Sequence, residues 1–161
     1  MYFSHLDSPV GPLLLAADES GLRQLAFPCE KTKQTPPSDW QENGAFFSET
    51  TRQLTAYFAS ELRTFDLPLA PQGTPFQLQV WQTLPEIPYG QTLSYGDLAQ
   101  KIGNPKASRA VGAANGQNPL PILIPCHRVI GANGRLTGFA GGLETKKVLL
   151  SLEQRHSFTL S

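Results

Sequence analysis

The chain has 161 residues, 40% of them apolar and 16% charged, with 13 Lys+Arg against 13 Asp+Glu. That is enough chain for one or two small globular domains with a real core, and no apolar stretch approaches the roughly 20 residues of a membrane span. The zero net charge hides an asymmetry, because residues 1–74 hold five basic and nine acidic side chains and residues 75–161 hold eight and four. Either the second half meets a polyanion or the two halves attract each other.

Met1 to Asp7 has no basic region and no apolar signal core, so secretion is not expected. Cys29 and Cys126 stand ninety-seven positions apart without a CxxC, which suits a reducing cytoplasm rather than a disulfide framework. His5, Cys29, Cys126 and His127 have no spacing that a metal site demands, and no metal is expected.

Short apolar runs at Tyr2 to Leu6, Leu13 to Ala17 and Leu22 to Phe27, separated by Ser8-Pro9-Val10-Gly11-Pro12 and Asp18-Glu19-Ser20-Gly21, predict three strands. Residues 28–44 are polar and proline-bearing, a surface loop. From Phe46 to Ser60 the set Phe47, Leu54 and Phe58, with Tyr57 beside it, fits a helical face. Glu61 to Gly73 shows no clear period and is read as the connection between a domain of residues 1–73 and one of residues 74–161.

The second half opens on a helix start: Thr74 as N-cap, Pro75 at the first helical position and Gln77 completing a capping box. Phe76, Val80, Trp81 and Leu84 form its buried stripe. Pro88-Tyr89-Gly90 is a turn. Ser94 starts another helix, with Asp97 three residues on and Leu98 and Ile102 facing inward, and Gly103 ends it. A third helix is expected from Pro105 to about Asn115, capped by Asn104-Pro105, with Ala107, Ala110, Val111, Ala113 and Ala114 as its small-residue face. Two helices joined by a short Gly-containing turn form a helix-turn-helix pattern. The small residues serve either tight packing on a neighbouring helix or close approach to DNA, with Arg109 reaching in. The expected fold is α/β (α+β): a small strand-rich N-terminal domain and a mainly helical C-terminal one.

Pro125-Cys126-His127-Arg128-Val129 follows the apolar run Leu120 to Ile124 and sets a thiol, an imidazole and a guanidinium side by side. A sheltered thiol is normally protonated and inert, and only a base within reach makes it a nucleophile. On residue type alone Cys126 is either a small buried hydrophobe or an activated sulfur.

The pentapeptide resembles the active-site signature of the O6-alkylguanine-DNA alkyltransferases, the methylated-DNA–protein-cysteine methyltransferases. The resemblance runs from Thr74 to Glu153. It takes in Gly73-Thr74-Pro75-Phe76-Gln77, Ile87-Pro88-Tyr89-Gly90, Ser94-Tyr95-Gly96, Asn104-Pro105, Arg109-Ala110-Val111-Gly112, Asn118-Pro119, Gly131 and Gly141-Gly142-Leu143. It is weak over the strand-rich first part.

What the resemblance implies is direct transfer of an alkyl group from guanine O6, and from thymine O4, to Cys126. His127 would act on the thiol through water, and Glu153 would orient the imidazole, a triad logic with sulfur as nucleophile. Tyr95 would donate to the departing guanine, as a phenol O–H can. The alkylated base must leave the duplex stack, with Arg109 filling the space and the helix-turn-helix in the minor groove. Ala107, Ala110 and Gly112 would lie along the DNA. Asn118 matches the hinge residue. Pro121, Arg128 and the loop Thr137-Gly138-Phe139-Ala140-Gly141-Gly142 would shape the base pocket, Arg128 mainly as an anchor. The family often has Tyr where Phe139 stands and Ser where Ala140 stands, so a bond to O6 would fall to backbone N–H groups. The thioether formed on Cys126 has no ready route to hydrolysis, which implies a monomeric reagent consumed in one turnover, with no cofactor and with double-stranded alkylated DNA as partner.

Three rivals stand beside this reading. One is a non-enzymatic lesion binder of similar fold, whose members lack the cysteine. The second is a helix-turn-helix regulator with Cys126 in its core, and the third is a cysteine hydrolase, for which no oxyanion site is identifiable.

Overall fold

The computed structural model describes residues 1–134, 136 and 138–157, with His156 and Ser157 described by backbone only. Strands β1 (Tyr2–Leu6), β2 (Leu13–Asp18) and β3 (Gly21–Ala26) pair antiparallel in sequence, as the turn chemistry between them dictates. Helix α1 (Lys31–Gln34) and strand β4 (Gln41–Glu42) then lie within the segment read as a plain surface loop. β4 pairs parallel with β1, giving the order β3-β2-β1-β4. Two residues of polar sequence carry no strand signal, and β4 exists because the β1 edge offers backbone partners.

Helix α2 (Ser48–Phe58) follows a 3₁₀ turn at Gly44–Phe47 and buries Thr50, Gln53, Leu54 and Tyr57. The connection after it is not loose. Leu22 N–H donates to Pro68 O at 2.8 Å, and Arg23 Nη1 donates to Ala70 O at 2.7 Å. These bonds satisfy the outer edge of β3, and Leu25 N–H adds a 2.9 Å bond to Pro119 O.

Helix α3 (Pro75–Thr83) carries the expected cap in full, Thr74 and Gln77 each bonding the other's backbone N–H. The Trp81 indole N–H donates to Ala114 O at 2.8 Å. Strand β5 (Leu93–Ser94) leads into α4 (Tyr95–Lys101), capped reciprocally by Ser94 and Asp97. Gly103, at φ +82, ends α4 in the left-handed region where a Cβ would be strained.

Helix α5 runs Ser108–Gly116, three residues later than the sequence suggests. Asn104 and Pro105 do not cap it. The Asn104 carbonyl instead accepts the Ala107 N–H at 3.0 Å, closing a turn ahead of the helix, whose first bond is Val111 N–H to Ala107 O at 2.8 Å. Nor do its small residues share one face. Val111, Ala114 and Asn115 are buried, while Arg109, Ala110 and Ala113 are exposed.

After α5 the chain crosses the core from Asn118 to Pro125 and makes a 3₁₀ turn at Cys126–Arg128. It continues as strand β6 (Val129–Ile130) and ends in α6 (Leu143–Ser157). β6 pairs parallel with β5, Leu93 opposite Val129 and Ser94 opposite Ile130. One hydrophobic cluster spans both halves, from Leu13, Leu15 and Phe27 through Leu54 and Trp81 to Leu120, Cys126 and Leu149. No helix among the described residues is long and apolar enough to cross a membrane.

Candidate active site

The active-site segment is pinned by two asparagines. Asn118 donates from Nδ2 to Ile124 O at 2.8 Å and accepts the Leu120 N–H at 2.9 Å, so it bridges both ends of a tight bend. Ile122 sits in that bend at φ +73, unusual for a β-branched side chain and costing about 1–3 kcal/mol. Asn115, from the last turn of α5, donates from Nδ2 to Cys126 O at 3.2 Å. Asn118 is among the residues the family resemblance picks out, and Asn115 is not. Its only signal was an amide placed where α5 faces the core.

Cys126 is 4% exposed. Burial pushes its thiol up to about 11, against the opposing influence of the Asn118 amide and the Lys146 charge. At rest the sulfur is protonated, and ionising it at neutral pH costs about 5 kcal/mol.

An imidazole lies one residue on. His127 is fully buried, and its Nε2 lies 2.6 Å from Glu153 Oε2. Burial holds the imidazole below its ordinary value, though Glu153 pulls the other way. A neutral ring beside a carboxylate must carry its proton on Nε2 and donate it, which leaves Nδ1 as a lone-pair acceptor. Nδ1 is buried and makes no hydrogen bond to a protein atom among the described residues.

Glu153 is equally enclosed and collects donors from four residues: His127 and Arg128 on the 3₁₀ turn, Tyr57 on α2, and Gly90. Arg128 Nε reaches Oε1 at 2.8 Å and Nη2 reaches Oε2 at 3.1 Å. Tyr57 OH reaches Oε2 at 2.6 Å, and Gly90 N–H makes a longer contact to Oε1 at 3.4 Å. Burial alone would raise this carboxyl, but the bonds from His127 and Arg128 prevail and hold it well below the usual carboxylate range. Arg128 also donates to Ile87 O at 2.8 Å and lies over the Tyr89 ring. Its guanidinium is thus committed to the support of Glu153 and of Ile87 O.

Lys146, one face of α6 away, is buried and was not singled out from the sequence. Its Nζ donates to Val129 O at 2.7 Å, and burial lowers its affinity for the proton. Only the turn of α6 that carries Glu153 could have pointed to it, seven residues earlier on the same side.

Of the other predicted residues, Tyr95 opens α4, half-buried, directly after the β5–β6 pairing that sets the start of this helix beside the Cys126 turn. Gly112 faces the Tyr95 ring, an added Cβ lying 3.6 Å from its edge. Ala107 is half-buried, and Arg109 and Ala110 are exposed on the outer side of α5. Pro121 is buried within the stretch that leads into Cys126.

Phe139, Ala140 and Gly141 approach from the far side and are half-buried. Thr137, the first residue of that loop as predicted, lies outside the described residues. The loop rests on the N-terminal half. Phe139 packs on Phe27 with ring centroids 5.4 Å apart, and a Cβ at Gly141 would meet the Phe27 ring at 2.7 Å. The exposed Cys29 donates its thiol to Ala140 O at 3.3 Å. Gly141 therefore serves the fit to Phe27, a requirement invisible in the sequence, whereas a Cβ at Gly138 or Gly142 would meet nothing within 4 Å.

Comparison with known proteins bears on both halves. Residues 1–71 match the family model described as "6-O-methylguanine DNA methyltransferase, ribonuclease-like domain", and residues 75–155 match "6-O-methylguanine DNA methyltransferase, DNA binding domain". A methylated-DNA–protein-cysteine methyltransferase of Methanosarcina acetivorans is 59% identical over 153 residues, covering 95% of this chain and 98% of its own length. One from Mycolicibacterium paratuberculosis is 51% identical, over 94% and 92%. The crystal structure of Mycobacterium tuberculosis OGT in complex with DNA superposes with a TM-score of 0.88 at 50% identity, over 96% of this chain and 94% of that one.

Proposed function

This chain belongs to the methylated-DNA–protein-cysteine methyltransferases, which repair DNA by moving an alkyl group onto a cysteine, and we propose that the acceptor here is Cys126. The observation that carries the assignment is that Cys126 is followed directly by a buried His127 that is bonded to Glu153 and whose Nδ1, the nitrogen a neutral ring would use as base, makes no hydrogen bond to a protein atom among the described residues. A rival in which Cys126 is inert core gives no reason to bury a histidine, an arginine and a glutamate beside it.

The reaction balances without a cofactor. The Cys126 proton passes through a bridging water to His127 Nδ1, and the imidazolium so formed is held by Glu153. The thiolate forms an S–C bond to the alkyl carbon as the C–O6 bond breaks. The guanine leaves with its electron pair, the Tyr95 hydroxyl donating a hydrogen bond at N3, and the proton taken up by His127 passes through solvent to the guanine N1, which restores both side chains. The products are unmodified guanine and a thioether, which ends the life of the protein as a reagent. O4-alkylthymine presents a comparable oxygen leaving group on a smaller ring, departing as the thymine anion, and would be accepted too.

The substrate is double-stranded DNA, approached from the minor groove by α4 and α5. Arg109 and Ala110 stand exposed on α5, and the second half carries the basic excess. The target base is flipped, Arg109 fills the gap, and the loop at Phe139, Ala140 and Gly141 closes over the guanine with backbone N–H groups. The protein acts as a cytoplasmic monomer built of two domains, residues 1–73 and 74–161.

The test is mass spectrometry of the protein after mixing with an O6-methylguanine duplex. One methyl on the peptide holding Cys126, at one per protein, is expected, and Cys126→Ser should lose transfer while keeping DNA binding. An unmodified wild-type protein that still binds the lesion would sink the proposal in favour of a lesion sensor.

A further inference from the structure

We infer that Tyr57 is a positioning residue for alkyl transfer: from the N-terminal half it donates its hydroxyl proton to the Glu153 oxygen that also takes His127, and so sets how strongly the carboxylate draws on the imidazole. This rests on the reading of His127 as base given above. It also gives the N-terminal half a part in the chemistry besides its share of the core.

Tyr57 lies in the last turn of α2, fully buried, ninety-six residues from its partner in sequence. Its ring is held by Phe58 and Phe65, both with centroids at 5.4 Å, and by Tyr89 at 6.3 Å. The aim of the hydroxyl is therefore fixed by packing. Burial first, and the Glu153 charge next, keep the phenol protonated, so toward this carboxylate it can only donate.

Glu153 Oε2 thus accepts three hydrogen bonds, from Tyr57 at 2.6 Å, His127 at 2.6 Å and Arg128 at 3.1 Å. Donors that share one oxygen share its negative charge. With the Tyr57 proton removed, the charge falls on the two that remain, the His127 bond strengthens, and imidazolium is favoured. The hydroxyl therefore works to keep His127 neutral, and available as a base, at a lower pH. The groups facing this pair from every packed element are Tyr57 on α2, Tyr89 with Arg63 over its ring, and Cys126 and Arg128 on the 3₁₀ turn. Lys146 on α6 completes the set. Arg128 keeps both of its hydrogen bonds to Glu153 when Tyr57 loses only its oxygen.

The test is the pH dependence of Cys126 alkylation by free O6-benzylguanine, on the full chain, for wild type and Tyr57→Phe, with the His127 ring titration followed by ¹⁵N NMR. Loss of the hydroxyl is expected to move the acid limb and the ring titration upward by about half a pH unit, a roughly threefold slower reaction on that limb. Replacing Tyr57 with 3-fluorotyrosine, a stronger donor of nearly the same shape, should move the limb downward, and it serves equally if Tyr57→Phe fails to fold. An acid limb unmoved in the variants, whether or not the plateau rate drops, overturns the inference and leaves Tyr57 a packing residue. Wild-type protein that takes no alkyl group on Cys126 would instead overturn the reading beneath it.

Discussion

His127 and Glu153, twenty-six positions apart, meet at 2.6 Å in a space closed to bulk solvent. The contact joins the turn that presents Cys126 to the last helix of the chain. A charge buried on one side of such a contact is stable only while its partners hold it, which makes the pair sensitive to substitution and to acid.

Glu153→Gln should destabilise the protein by about 3–5 kcal/mol, because it leaves the buried Arg128 guanidinium facing an amide. Urea denaturation measures this. A loss below about 1 kcal/mol would mean that Arg128 finds its compensation elsewhere.

Stability should fall in acid in two stages. His127 has a folded pKa below its unfolded value, so its contribution is complete above about pH 6.5 and declines as pH drops below that. Glu153 is also depressed by its partners, so its contribution is present above about pH 4.3 and is lost as pH falls toward its folded value. Denaturation free energies measured against pH should show both slopes, and His127→Gln should erase the first. An early slope that persists in that variant would place its origin in another group.

Asn118→Ala should cost about 2 kcal/mol or more, since Ile124 O and Leu120 N–H lose their partner inside the core. Alkylation by free O6-benzylguanine should slow as well, because Cys126 follows directly from the bend that Asn118 bridges. Wild-type stability in the variant would show that the bend holds itself.

Lys146→Met should slow alkylation most near neutral pH and least near the pKa of the thiol, because the Lys146 charge favours the Cys126 thiolate. A uniform slowing at all pH values would assign Lys146 to holding Val129 in place rather than to the sulfur.

Arg109→Ala should leave stability within about 0.5 kcal/mol, as the side chain is exposed. Repair of an alkylated duplex should weaken far more than reaction with free O6-benzylguanine. Equal losses on both substrates would remove Arg109 from any role at the DNA.

Local chemistry was legible along the chain. The two capping boxes at Thr74 and Ser94, the stop at Gly103 and the three β-strands follow from side chains acting on backbone a few residues away. The start of α5 was misplaced because Asn104 and Pro105 read as a cap, whereas the Asn104 carbonyl was taken by a turn. β4 was missed because its pairing comes from an available edge and not from its own residues.

The sequence by itself determined the thiol, the imidazole beside it and the motifs that carry the family resemblance, since all of these are fixed by residue order. Only the tertiary structure decided what surrounds them. Folding brings Tyr57 from α2 and Glu153 from α6 to one oxygen, sets Lys146 under Val129, and seats Gly141 against Phe27. These are contacts between residues far apart in the chain, selected by packing and by the need of every buried charge for a partner. No local pattern encodes them.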